Sequence, residues 1–191
     1  MKSTKGLLIV SLSLWVFTSC IITAPNNTNN SSSSEGREVS ARLAYKIEGP
    51  ENAVKYVERY KRIAIEESIR VKIPASIKLA QGILESGYGS SELAKKANNH
   101  FGIKCGGSWT GKTHQRKGSC FRVFKSGDDA YIEHSKFLTG NSRYDGLFKL
   151  KTTDYKGWAH GLKKAGYATS TTYPQKLIEL IERYKLHNYD K

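Results

Sequence analysis

The chain has little that would let it hold a metal, cross a membrane or fold as a repeat array. Among 191 residues there are three cysteines and five histidines. No CxxC or HxxxH spacing joins them, which gives a zinc site no starting point. No apolar run reaches the roughly 20 residues that a spanning helix needs; GLLIVSLSLWVF, from Gly6 to Phe17, stops short. No segment recurs at a fixed period, which leaves out solenoids and propellers. Acidic residues are scarce: 17 Asp and Glu stand against 31 Lys and Arg, for a formal net charge of +14. Such a surface attracts polyanions, and charge alone does not choose between nucleic acid, anionic lipid and an acidic wall polymer.

The N-terminus narrows that choice. Lys2 and Lys5 precede the apolar run and small polar residues follow it, as in a secretory signal peptide over residues 1–19. The run ends in FTSC, with Cys20 after Ser19. This stretch resembles the lipobox of bacterial lipoproteins, in which the cysteine is lipidated and becomes the first mature residue, although Phe17 stands where leucine is usual. The resemblance implies an exported cell-envelope lipoprotein, anchored to a membrane through Cys20 on the periplasmic or cell-surface side. Removing residues 1–19 takes away only Lys2 and Lys5, so the mature chain keeps a charge of +12. Export makes cytosolic nucleic acid a poor partner, and no nucleic-acid motif is recognised.

Residues 20–43 read as the lipidated cysteine and a disordered tether, because APNNTNNSSSSEGRE from Ala24 to Glu38 has almost nothing to bury. One folded domain is expected over residues 44–191. The spacing of Val54, Val57, Ile63, Ile65 and Ile69 predicts a helix. Pro74 opens a second, which Gly87 stops. SSELAKKANN is a short third helix capped by Ser90 or Ser91. Glycines then punctuate Phe101 to Phe124, where CFRVF alternates like a strand and one small β-hairpin is expected. Three more helices follow, in DDAYIEHSKFL, TDYKGWAHGLKKAG and YPQKLIELIERYKL. Cys105 and Cys120 flank a short polar segment, and an exported chain can oxidise them to a disulfide worth roughly 3 kcal/mol in the loop-entropy picture. The alternative is a metal site completed by His100 and His114, without supporting spacing.

Glu85 is the unusual residue of the second helix. Ile77, Ala80 and Leu84 share one face of it, and Gln81 and Glu85 lie one turn apart on the flank. In the last turn, exposed carbonyls disfavour a carboxylate, and aliphatic neighbours act the same way. Both effects raise the pKa, as a proton donor near neutral pH requires. The alternative is an exposed glutamate paired with Lys78.

Three stretches carry a family resemblance: IPASIKLAQGILESGYGSSELAKKANNHFGIK, CFRVFKSGDDAYIEHSKFL and DYKGWAHGLKKAGYAT. Together, and in this order, they resemble glycoside hydrolase family 73, the endo-β-N-acetylglucosaminidases that cut bacterial peptidoglycan. The resemblance implies an α+β, mainly α, lysozyme-like fold with a small β-hairpin lobe. It implies Glu85 as general acid and Tyr167, in AGYAT, as a residue beside the scissile bond. Asn99 and Phe101 would line the cleft with Gln81. Trp109 and Tyr131 would stack on sugars or pack in the hairpin and core. The substrate would be a peptidoglycan glycan strand, the protein a monomer, and no cofactor or metal is implied. Lys104, Lys112 and the HQRKGS segment would face the acidic stem peptides.

One departure is plain. Relatives often carry a second carboxylate in the hairpin, yet TGKTHQRKGS, between Trp109 and Cys120, holds none. Three routes stay open. Asp128, Asp129 or Glu133 supplies the second acid from the next helix; the substrate's 2-acetamido group acts as nucleophile; or the protein is a non-catalytic peptidoglycan-binding lipoprotein. A muramidase or lytic transglycosylase is the nearest enzymatic rival.

Overall fold

The computed structural model describes residues 30–106 and 108–191; the signal segment and Cys20 lie outside the described residues. Seven α-helices and one hairpin follow in order: α1 (Asn30–Leu43), α2 (Glu51–Val71), α3 (Ala75–Ser86), α4 (Glu92–Ala97), β1 (Thr113–Arg116), β2 (Ser119–Arg122), α5 (Gly127–Thr139), α6 (Tyr155–Lys164) and α7 (Tyr173–Arg183). Two 3-10 segments, Ser142–Lys149 and Leu186–Tyr189, follow α5 and α7. Neither has the periodicity that would announce it in sequence.

The centre of the molecule is α3. Every residue from Ala75 to Ile83 is buried. The helices α2, α6 and α7 and the C-terminal 3-10 segment enclose it, so that Ser76, Lys78 and Gln81 are buried along with its apolar residues. Against it α2 presents Ala53, Val57, Ala64 and Ile65 at helical spacing, all fully buried. Pro74 cannot donate, and the open N-terminus of α3 is met from far away: Asp190 accepts from Ser76 N at 2.8 Å and from Ser76 Oγ at 2.6 Å. Gly87, with φ +56°, ends α3 in the left-handed region that glycine enters at no steric cost.

The short third helix and the hairpin also form, with β2 ending at Arg122, two residues before the end of CFRVF. Ser91 caps α4 by accepting from Ala94 N, and Asn98 ends it with φ +50°. In the hairpin Thr113 faces Arg122 and Arg116 faces Ser119. Lys117 and Gly118 turn it with φ of +47° and +71°, the twist-matched two-residue geometry for paired strands. The Cys105–Cys120 disulfide forms and ties the 102–106 loop to β2. Among the described residues no cluster of three metal-ligating side chains exists, and no helix is long and apolar enough to cross a membrane.

The tether reading needs correction over residues 30–43. This stretch is helical and lies against α2 and the C-terminal segment. Val39 and Leu43 pack on the core, and Arg42 Nη1 donates to the Tyr189 carbonyl at 3.2 Å. Tertiary contact, not propensity, holds a serine-rich stretch in this form.

Candidate active site

A groove of about 990 Å³ crosses the C-terminal end of α3. That volume is at the upper end for small-molecule sites and suits an extended oligomer. One wall comes from the hairpin lobe, with Gly102, Ile103, Lys104, Arg116, Phe121 and Arg122. The 141–143 segment, the 167–170 loop and the start of α7 supply the other side. Glu85 lies between them, and among the described residues lining the groove it is the sole carboxylate.

Burial raises the Glu85 pKa above the ordinary glutamate value, and a hydrogen bond from the Tyr173 hydroxyl partly opposes that rise. By surface area Glu85 is exposed, whereas packing around the carboxyl strips part of its hydration. The two fit a groove floor: solvent reaches the side chain from one opening, and protein closes the rest. That opening limits how far burial moves the carboxyl. The orientation of Tyr173 is fixed from behind. Gln81 Nε2 donates to its oxygen at 3.0 Å, which leaves the O–H free to donate toward Glu85.

Rings in contact with one another run along the groove, three of them, Phe101, Tyr167 and Tyr173, in its lining. Phe101 lies on His134, centroids 4.1 Å apart and 10° from parallel. His134 meets Tyr167 edge-on at 5.8 Å, and Tyr167 stacks on Tyr173 at 5.8 Å. His134 is fully buried, which holds its imidazole well below the usual histidine range and so neutral.

The sequence expectations divide against this geometry. Glu85, Phe101 and Tyr167 line the groove together. Gln81 is fully buried and reaches the groove only through Tyr173. Asn99 is buried too: it binds Ile103 N and O and the Arg122 carbonyl at 2.9 Å each, holding the loop on which Phe101 sits. Tyr131 has no exposed surface, so it cannot stack on a sugar; it stacks on Tyr60 and donates to Tyr56. Trp109 packs edge-on against Phe124 under Arg122 and does not line the groove.

None of the three candidate second acids lines it either. Asp128 pairs with Arg59 at 2.9 Å. Asp129 joins Ser126 in the cap of α5. Glu133 pairs with Lys136 and lies 3.6 Å from Arg122. The alternative partner for Glu85 also falls away. Lys78 is fully buried, and its Nζ donates to Tyr131 O at 2.9 Å and Ser135 Oγ at 2.6 Å. Lys112 lies off the groove, whereas Arg143 and Lys176, which no motif had marked, belong to it with Tyr173. These come from distant elements, and a single sequence carries no signal that brings them to Glu85.

Several known proteins are similar to this chain. The family model described as mannosyl-glycoprotein endo-beta-N-acetylglucosaminidase matches residues 61–186. The exo-glucosaminidase LytG of Bacillus subtilis is 36% identical over 134 residues, covering 61% of this chain and 46% of LytG. The chain thus spans about half the length of the curated relatives it matches. A peptidoglycan hydrolase from Sphingomonas sp. A1 superposes with a TM-score of 0.61 at 27% identity, over 71% of this chain and 91% of that one. The catalytic domain of the autolysin Auto from Listeria monocytogenes gives 0.63 at 25% identity, over 81% and 96%. With a mainly helical, lysozyme-like fold and a two-stranded hairpin lobe, the chain belongs to the glucosaminidase family of glycoside hydrolases.

Proposed function

We propose that this protein is a peptidoglycan hydrolase that cleaves the β-1,4 bond between N-acetylglucosamine and N-acetylmuramic acid, with Glu85 as general acid. The observation that carries the reading is a carboxylate of raised pKa, the sole one among the described residues that line a groove of about 990 Å³. A protonated Glu85 donates to the departing glycosidic oxygen. With no second acid among the described residues lining the groove, the acetamido oxygen of the reacting N-acetylglucosamine attacks its own anomeric carbon as the leaving group departs. Water then opens the resulting oxazolinium ring, and the Glu85 carboxylate takes up the proton. Tyr167, beside Glu85 in the groove, steadies the reacting sugar. The protein works outside the cytoplasm, anchored through Cys20.

The test is digestion of purified peptidoglycan by the mature chain beside Glu85→Gln. Wild type releases fragments with N-acetylglucosamine at the reducing end, and the variant is slower by about 10²–10⁴-fold. Release of 1,6-anhydromuramic ends would assign a lytic transglycosylase instead, and muramic reducing ends a muramidase. The missing second carboxylate favours one other reading, a wall-binding lipoprotein without activity. That reading wins if both proteins bind walls alike and neither releases anything.

A further inference from the structure

Five cationic side chains line the groove around Glu85: Lys104, Arg116, Arg122, Arg143 and Lys176. Two already have acidic partners. Arg116 pairs with Glu92 at 3.4 Å. Arg122 faces Glu133 at 3.6 Å, and its Nε donates to the carbonyls of Lys104 and Cys105. The other three make no ion pair among the described residues, and all three are exposed. Lys104 sits at an isolated bridge to Phe121 on the hairpin side. Arg143 is held over the Tyr144 and Phe137 rings at 4.7 and 5.9 Å. Lys176 follows Tyr173 by three residues, so it shares the face of α7 that meets Glu85.

These charges do not serve to tune the acid. A nearby cation would favour the carboxylate form and lower its pKa. Burial and Tyr173 are instead what move Glu85, and the net direction is upward. Nor does solubility account for three cations without acidic partners among the described residues, from three elements, lining one concavity. Lys104, Arg143 and Lys176 line the same groove as Glu85. A neutral polymer of N-acetylglucosamine offers them no partner. A glycan bearing lactyl and peptide carboxylates does.

We infer that Lys104, Arg143 and Lys176 bind carboxylates on the substrate and make the groove selective for acidic glycan strands over neutral ones. The inference rests on the peptidoglycan reading of the groove. Its test uses purified peptidoglycan in two forms, native and with its carboxylates amidated by carbodiimide and methylamine. The mature chain is compared with Lys104→Gln/Arg143→Gln/Lys176→Gln, whose folding is checked by thermal unfolding.

For wild type, amidation raises KM on the order of 10-fold at low salt with kcat little changed. Raising NaCl from about 0.05 M to about 0.5 M erases the difference by screening. The triple variant treats both substrates alike, with the KM of wild type on the amidated form. Equal KM of wild type on both forms at low salt overturns the inference, as does a triple variant that keeps the preference. If wild type cuts neither form, the hydrolase reading fails separately. Cosedimentation of Glu85→Gln with the two wall preparations then decides the charge question: retention by native walls alone supports it, and equal retention overturns it.

Discussion

A single carboxyl group cannot be judged apart from what holds it, and here the holder is Tyr173. Its hydroxyl receives the Gln81 amide and donates to Glu85. That hydrogen bond favours the charged form, so it lowers a pKa that burial has raised. Tyr173→Phe removes the donor and leaves the burial. The Glu85 pKa then climbs further, and the alkaline limb of the kcat/KM profile, which follows loss of the acid's proton, moves to higher pH. Stability falls by about 1 kcal/mol, because Gln81 loses its partner. A limb that stays in place or moves down shows that Tyr173 does not act on the acid. The groove position of Glu85 was legible in sequence through the ILESGYG stretch and the family it resembles, since the helix end and its glycine alone also fit an exposed glutamate. Tyr173 was not, since it arrives from α7 and only the fold brings it near. Tyr131 shows the opposite failure. An aromatic at helical spacing reads the same whether it faces a ligand or a core, and enclosure by Tyr56, Tyr60 and Phe101 settles the matter.

At the scale of the element, start and stop signals were the readable part. Gly87, which lacks a Cβ, ends α3 in the left-handed region, and the Ser91 hydroxyl caps α4. Ser126 caps α5, with Asp129 bonded back to it, and the neighbouring Asp128 is turned to Arg59 of α2. The interior of α3 was less readable. It buries Lys78, whose pKa burial lowers to about 7, and it carries Gly82 where a helix prefers alanine. The reason for that glycine is steric. A Cβ there would lie 2.5 Å from the Tyr131 hydroxyl and 2.6 Å from that of Tyr56. Those hydroxyls belong to a network in which Tyr131 donates to Tyr56, and Tyr56 and Tyr60 bind the two ring nitrogens of His100 at 3.1 and 3.0 Å. Alanine in an open helix would gain about 1 kcal/mol over glycine. Overpacking typically costs about 1–3 kcal/mol, and here two enclosed hydroxyls must also move. Gly82→Ala is therefore expected to destabilise by about 1–3 kcal/mol in denaturant unfolding. A variant as stable as wild type would show that the tyrosine cluster is loose.

Across the whole molecule, the two ends of the described chain meet at the base of α3, a closure that no local pattern announces. Arg42 of α1 donates to Tyr189 O, the Tyr189 hydroxyl donates to Tyr45 O at 3.1 Å, and Asp190 caps α3 through Ser76. Burial pushes the Asp190 carboxyl up to about 7 against the pull of its Ser76 donors. The folded chain thus holds this proton more tightly than the unfolded chain, where aspartate titrates near about 3.9. The stability that follows is complete below that lower value and is lost as pH rises through about 7. Lys78 has the opposite sign: the cost of burying its charge is full below about 7 and fades as pH climbs toward the free lysine value. The wild-type profile therefore mixes two opposed contributions, and a variant is needed to separate them. Asp190→Asn keeps the shape and an acceptor for Ser76 N but does not titrate. Its stability relative to wild type should rise by about 2 kcal/mol between roughly pH 5 and pH 8.5, as the wild-type carboxyl loses its proton. Urea unfolding of both proteins across that range is the measurement. Parallel curves would mean that Asp190 stays ionised throughout, stabilised by the helix N-terminus it caps.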